Sequence, residues 1–582
     1  MTPLRLLLAV AALACAWVAH AADVALRFGA LAGEKKLDPT APEFVSIGTN
    51  SLSLTRFSGL ISSVAFVRPD GSFAQLDGQF GALDLAEGRD SFMLRGVPPG
   101  RYQGLQFLVG LRPEINHSDP ALWAAGHPLH PLVNNLHWGW QGGYVFLALE
   151  GRYRRPDQTL GGWSFHVAND PRLMLVELPY AIEVTGDLTI TFNVDLARIL
   201  DSITLSPKDG ADSTHSAVGD RLADHLVENI PASFRISAVQ SSPRVLPTPS
   251  AAPKAVSAFE PTPRAFHVPA GFPQVTLPAD NPLTEEGVAL GRRLFNDKRL
   301  SANTAQSCAS CHDARHSFSD TVPISKGVDG RPGTRNSMPL FNLAWSPSFG
   351  WDGAKPRIRD QALTAITSPV EMHADPARVT ELLSGDATLQ SEFARAFGDA
   401  TITVDRITRA LEQFLLTLIS SDSRFDRSLR GEETLTAEEK EGFALFLTEF
   451  DPARGRRGAD CFHCHGGSLF SDHQLKNTGL TLLPSDTGRA AITGRPADAG
   501  KFKTPSLRNV ALTAPYMHDG RFTTLEQVVA HYDHGVRRTE NLDPNLAKHP
   551  DAGLQLTAAE QAALVAFLRT LTGGNSGDSS QP

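Results

Sequence analysis

At 582 residues the chain is too long for a single hydrophobic core, so two or more domains are expected. With 41% apolar and 20% charged residues it has an ordinary soluble globular composition. A net charge of -9 leaves no basic footprint for nucleic acid or an anionic membrane surface, and neither is expected as a partner.

The chain opens with "MTPLRLLLAVAALACAWVAHAAD". Arg5 supplies a positive n-region, Leu6 to Val18 the apolar run, and "AHA" a small-residue cleavage site, so residues 1–21 read as an export signal. Cys15 alone would suggest lipidation, but Ala12 stands three positions before it where a Leu is usual. A cleaved signal and a periplasmic location are therefore expected. No other run approaches the ~20 apolar residues of a membrane helix, so no membrane span is expected.

Residues 22–240 read as an all-β, sandwich-like domain. In "LTITFNVDL", Leu188, Ile190, Phe192, Val194 and Leu196 alternate with polar residues, the period of a half-buried antiparallel strand. "ISSVAFVRPDGSF" carries a Pro-Asp-Gly turn that closes a hairpin, and "YVFLALEGRY" is another strand. Between the last two lies "HPLHPLVNNLHWGWQGGY", with three histidines beside Trp138 and Trp140. Histidine is the commonest metal ligand, whereas an indole is none. On local sequence alone, a Trp-x-Trp in a β domain reads as core packing.

Residues 241–274, rich in Pro, Ala and Ser, read as an extended, semi-rigid linker. Residues 275–574 are mainly helical and repeat themselves. "LTEEGVALGRRLF" precedes "CASCH", and "LTAEEKEGFALFLTEF" precedes "CFHCH"; Thr284 lies 24 residues before Cys308 and Thr436 lies 25 before Cys461. Thr436 with Glu439, and Thr557 with Glu560, form capping boxes. Two helix-then-CxxCH units imply a duplicated module. Residues 575–582 read as a disordered tail.

Without Cys15, the four cysteines form two C-x-x-C-H motifs, the attachment signature of c-type haem. Cys308 and Cys311 would hold one haem with His312 as axial ligand, and Cys461 and Cys464 a second with His465. A single zinc site would have to join pairs about 150 residues apart, each carrying its own His.

From about residue 275 to 573 the chain resembles the bacterial di-haem cytochrome c peroxidase and MauG family. The likeness rests on the haem motifs together with "RNSMPLFNLAW", "FGWDG", "QALTAITSPVEM", "FKTPSLRNVALTAPYMHDGRFTTLEQVV" and "HYDHG". It implies two cytochrome-c-like modules, a high-spin haem on His312 that meets hydrogen peroxide, and a low-spin haem on His465. Tyr532 stands where MauG-like members have a tyrosine ligand and peroxidases a methionine; a phenolate stabilises ferric and higher states. Trp351 matches the tryptophan that relays electrons between the haems. Glu371 matches the distal acid, and Gln361 the distal glutamine of MauG-like members. Asn336, Thr513 and the Pro515 carbonyl match an inter-haem calcium site of hard oxygen donors. No histidine occurs between His316 and His373, a departure from peroxidases with a distal His.

The first half is similar to the MbnP family of copper-binding proteins at "HWGWQGGYVFLALEG", "WSFHV" and "THSAVGDRLADHLVENIPASF", although it lacks that family's four cysteines. In that family a MauG-like enzyme, MbnH, oxidises a tryptophan to kynurenine, whose amine helps to bind copper. The resemblance implies a natural fusion in which the haem half modifies Trp138 or Trp140 of its own N-terminal domain. His137, His166 and His215 would be the copper ligands, with His127 and His130 weaker candidates. Two other readings stay open: a peroxidase that reduces hydrogen peroxide with electrons from a small electron-transfer protein, and a copper-binding protein whose haem half only transfers electrons.

Overall fold

The computed structural model describes residues 21–139, 142–241 and 259–573. The expected signal (except Ala21), Trp140 and the expected tail lie outside the described residues. Among the described residues no helix is long and apolar enough to cross a membrane.

The N-terminal half is a sandwich of a five-stranded and a nine-stranded sheet. The alternating segment forms the strand Leu188–Asp195, with Leu188, Ile190, Phe192 and Val194 buried and the residues between them half-buried. It is not purely antiparallel: it runs parallel to Ala22–Ala32 on one side and antiparallel to Phe234–Ser241 on the other. Leu196 falls outside it, because the Asp195 side chain accepts the Ala197 N–H and starts a short helix, Leu196–Ile199. Phe28 and Phe192 stack at 4.7 Å in one sheet, and Phe107 of the other meets Phe192 edge-on at 5.9 Å, joining the two layers. The Pro-Asp-Gly turn closes the hairpin between Asn50–Val67 and Phe73–Leu76.

In the nine-stranded sheet, Val145–Arg154 lies between Asn50–Val67 and Leu160–Ala168. It is buried on both faces because the sheet's outer side is covered by the helical half. There Arg152 Nη1 donates to the carbonyls of Thr539, Glu540 and Leu542 at 3.2, 3.3 and 2.9 Å. Gly162 backs directly onto the Pro544 carbonyl, where a Cβ would collide.

The helical half repeats as its sequence does. Glu285–Phe295 crosses Val404–Leu416, and Ala437–Leu447 crosses Ala558–Thr570. In both crossings a glycine meets an alanine carbonyl: Gly291 on Ala410 and Gly442 on Ala563. Both capping boxes are formed, while Thr284 caps the first copy by accepting the Gly287 N–H. Each copy has its own apolar core.

Of the stretch 241–274, expected to be an extended, semi-rigid linker, residues 242–258 lie outside the described residues. Residues 259–274 are packed against the helical half, with Phe272 buried edge-on to Trp345 at 5.2 Å and the Trp345 N–H donating to the Pro273 carbonyl at 2.8 Å. Phe266 and Phe272, two of its three phenylalanines, supply apolar surface that the Pro/Ala/Ser average conceals.

Candidate functional site

Both CxxCH motifs begin as a single 3-10 turn, Cys308–Ser310 and Cys461–His463. His312 donates from Nδ1 to the Phe318 carbonyl at 2.8 Å, and His465 from Nδ1 to the Phe470 carbonyl at 3.0 Å. That bond fixes the tautomer and leaves Nε2 of each ring for a metal. Desolvation lowers both imidazoles below the usual range, so each is the neutral donor that iron requires. Burial pushes the Cys308 and Cys461 thiols up to about 12. The residues fit covalently attached haem: paired thiols held uncharged beside a correctly oriented imidazole.

The second motif opens onto a mainly apolar cavity lined by Cys461, Cys464, His465, Trp351 and Tyr532. Tyr532 enters it from a π-helical turn, His531–Gly535, an irregularity common at functional sites. Burial, and then the Cys464 and Cys461 sulfurs, push its phenol well above the usual range. In this dry surround a phenolate needs a cation to hold it, and ferric iron on His465 would be that cation.

Trp351 is 9% exposed and donates its indole N–H to the Asn336 carbonyl at 2.8 Å. Asn336, Thr513 and Pro515 line the same cavity. The Asn336 amide donates to the Val322 and Pro323 carbonyls at 3.3 and 3.0 Å, which leaves Oδ1 as the oxygen a hard cation would take.

Glu371 and Gln361 lie on the side of the first motif. The Cys311 thiol is raised by burial, then by the fields of Asp320 and Glu371. Glu371 keeps solvent access, yet the protein around it withdraws enough water to raise its carboxyl above the usual range. Gln361 sits on the helix Ile358–Thr367 with its Oε1 against Gly350, beside Trp351.

The three histidines singled out in the N-terminal domain do not converge on one point. His166 and His215 do meet, because Phe165 and Thr214 pair in parallel and each histidine comes one residue later. Their rings are 4.6 Å apart. The third member of the group is His463, whose ring lies 4.5 Å from His215 and 5.7 Å from His166. One ligand atom from each lies within 4.8 Å of the others. His463 belongs to the helical half, at the end of the turn Cys461–His463; it stands between the cysteines of "CFHCH", where the first motif has Ser310. That asymmetry between the two repeats was the one available sequence signal for it.

His137 lies outside this group but lines the same interface cavity of ≈ 400 Å³, with Trp138, His166 and His463. Its Nδ1 accepts the Gly139 N–H at 2.9 Å, and desolvation lowers its imidazole to about 4. Gly139, at φ +54°, sits where a Cβ would come within 2.7 Å of the Gly467 nitrogen, two residues past His465. The loop of Trp138 thus abuts the second CxxCH loop. His130 is structural: it accepts the Leu132 N–H and bonds the Gln274 carbonyl at 2.6 Å. His127 accepts the Leu129 N–H at 3.1 Å and stacks on Trp123.

A family model for di-haem cytochrome c peroxidase (CCP_MauG) matches residues 285–434, and the MbnP family model matches residues 21–216. The methylamine utilization protein MauG of Methylophilus methylotrophus is 34% identical over 304 residues, 52% of this chain and 86% of that protein. The cytochrome c551 peroxidase of Pseudomonas aeruginosa is 33% identical over 310 residues, 52% of this chain and 82% of that protein. Among solved structures, a MauG-like protein associated with microbial copper homeostasis is 34% identical with a TM-score of 0.50, covering 55% of this chain and 98% of that one. The paired haem-attachment loops and these likenesses agree, and the chain belongs to the di-haem cytochrome c peroxidase and MauG family of oxidoreductases, with an MbnP domain as its N-terminal half.

Proposed function

We propose that this enzyme uses hydrogen peroxide in the periplasm to convert a tryptophan of its own N-terminal domain, Trp138 or Trp140, to kynurenine, and so prepares a copper site. The observation that carries the reading is the contact of Gly139 with Gly467, which sets the loop of Trp138 against the loop that attaches the second haem. The likeness to a MauG-like protein associated with copper homeostasis supports copper as the metal.

Two c-type haems, when bound, supply the redox chemistry with peroxide. Glu371, its carboxyl raised by desolvation, takes and returns the peroxide proton near the first haem. Trp351, its ring fixed by the Asn336 carbonyl, would relay electrons between the two haems when they are bound, and Asn336, Thr513 and Pro515 would supply the oxygens for a calcium ion beside it. Gln361, whose Oε1 lies against Gly350 beside Trp351, is the distal glutamine of this reading. The reaction balances as tryptophan plus two hydrogen peroxide giving N-formylkynurenine and two water, followed by hydrolysis to kynurenine and formate. An indole that binds no metal becomes an aromatic amine that does.

The likeness to cytochrome c551 peroxidase favours a second reading, peroxide reduction with electrons from a small electron-transfer protein. Peptide mapping of haem-loaded protein before and after peroxide separates the two. The first expects a gain of one oxygen and loss of one carbon in the peptide spanning Trp138 and Trp140, with tighter copper binding afterwards. Both tryptophans intact after peroxide is consumed would sink it in favour of the second.

A further inference from the structure

We infer that His463, with His166 and His215, forms a copper site that spans the two domains, so that the metal is held by the haem-attachment loop as well as by the β domain. The inference shares His166 and His215 with the reading above but does not require any tryptophan to react.

The donor set is on the page. Three imidazoles offer nitrogens within 4.8 Å of one another. His166 and His215 are 5% and 8% exposed, and neither is buried for want of polar company. The Nε2 of His166 lies 2.8 Å from Glu150 Oε1, while its Nδ1 is buried with no hydrogen-bond partner. The Nδ1 of His215 lies 2.6 Å from Glu449 Oε1 without the geometry of a hydrogen bond, and its Nε2 is buried with no partner. On the third ring, Nε2 lies 3.5 Å from Asp460 Oδ1, the carboxylate that can hold its proton and so leave Nδ1 to ligate, with Lys548 Nζ 3.3 Å from the same nitrogen. A buried ring nitrogen with nothing to bond to is rare unless a ligand belongs there.

Glu150 stands behind the His166 ring, where it fixes which nitrogen faces inward, as outer partners of metal-bound histidines do, and Glu449 lies beside His215. They are themselves neutralised: Arg56 Nη1 lies 2.7 Å from Glu150, and Lys548 Nζ lies 3.2 Å from Glu449 and 3.3 Å from Asp460. The inner shell is therefore neutral nitrogen with no carboxylate, which does not suit calcium or magnesium. Imidazole suits late first-row metals, and among these copper stands highest in intrinsic affinity.

The test uses full-length protein with both haems attached and never exposed to peroxide, titrated with copper(II) sulfate. One copper per chain is expected, with an electron paramagnetic resonance spectrum showing three coordinated imidazoles. His463→Ala should weaken binding at least ~100-fold, the upper end of what losing even an outer partner costs a metal site. A haemochrome count of two in the variant confirms that attachment survives, since His463 is neither a cysteine nor the axial ligand. Wild-type affinity in His463→Ala, or two imidazoles in the wild-type spectrum, would overturn the inference. If His463→Ala does not accumulate, the imidazole count in wild-type protein decides alone. Copper bound before any peroxide, and dependent on His463, would stand even if the tryptophans prove inert. Copper bound only after peroxide would overturn it and leave the modification reading intact.

Discussion

The indole N–H of Trp351 is tied to the Asn336 carbonyl at 2.8 Å, and the Asn336 N–H is tied in turn to the His518 carbonyl at 2.7 Å. An aromatic ring beside the second haem cavity thus depends on a loop whose free oxygen suits a hard cation. Removing calcium with a chelator should loosen Trp351 and slow electron exchange between the haems by roughly 10-fold, the low end of outer-sphere disruption at metal centres. Stopped-flow reduction followed at both haem bands reads this directly. Superimposable traces before and after chelation would separate calcium from Trp351.

Tyr532 shares its cavity with His465. Tyr532→Phe should remove the low-spin ferric signal of the second haem while the haemochrome count stays at two. Tyr532→Met should restore a low-spin haem at a higher potential, since a thioether favours the ferrous state. A low-spin signal that survives Tyr532→Phe unchanged means another residue is the ligand.

Glu371 should set the acid limb of the peroxide reaction. Desolvation raises its carboxyl, so the ionised form that accepts a proton is lost as pH falls through a value above the ordinary glutamate range. The rate should therefore decline at a higher pH than an exposed glutamate would give. Glu371→Gln should slow the reaction ~10²–10⁴-fold and abolish that limb. An acid limb of the same position in the variant belongs to some other group.

Asp212, in the loop that leads to His215, is pushed up to about 6 by burial, with its carboxyl accepting the Tyr153 hydroxyl at 3.0 Å. Its folded value is raised, so its stabilising contribution is full below the unfolded value of 3.8 and is lost as pH rises through about 6. Asp212→Asn should stabilise the protein near neutral pH by up to roughly 3 kcal/mol and change little near pH 4. Urea midpoints at the two pH values test it. A variant less stable than wild type at both would show that the carboxylate is compensated in the fold.

The haem loops were legible because covalent attachment fixes three residues within five positions, and strand and cap signals were legible because period and capping are local. Leu188 to Val194 and the Thr436–Glu439 box behave as their patterns dictate. Contacts between the halves left no such pattern. His463 reads as a spacer until the packing of the two halves sets it against His215, 248 positions away, and His166, which a parallel bridge at Phe165 and Thr214 has already paired. The docked course of residues 259–274 was hidden for a related reason: composition describes the average residue, and two phenylalanines decide where this segment lies.

The clasp of Arg152 on the Thr539, Glu540 and Leu542 carbonyls sits only a few residues beyond Tyr532. Under the proposed reading, a target domain so fastened would not leave after it reacts. Such an enzyme would work once per molecule, and its yield would count for more than its turnover. Ordinary steady-state assays would then report only side reactions with peroxide, and the productive event would appear as a single stoichiometric burst whose rate is indifferent to dilution.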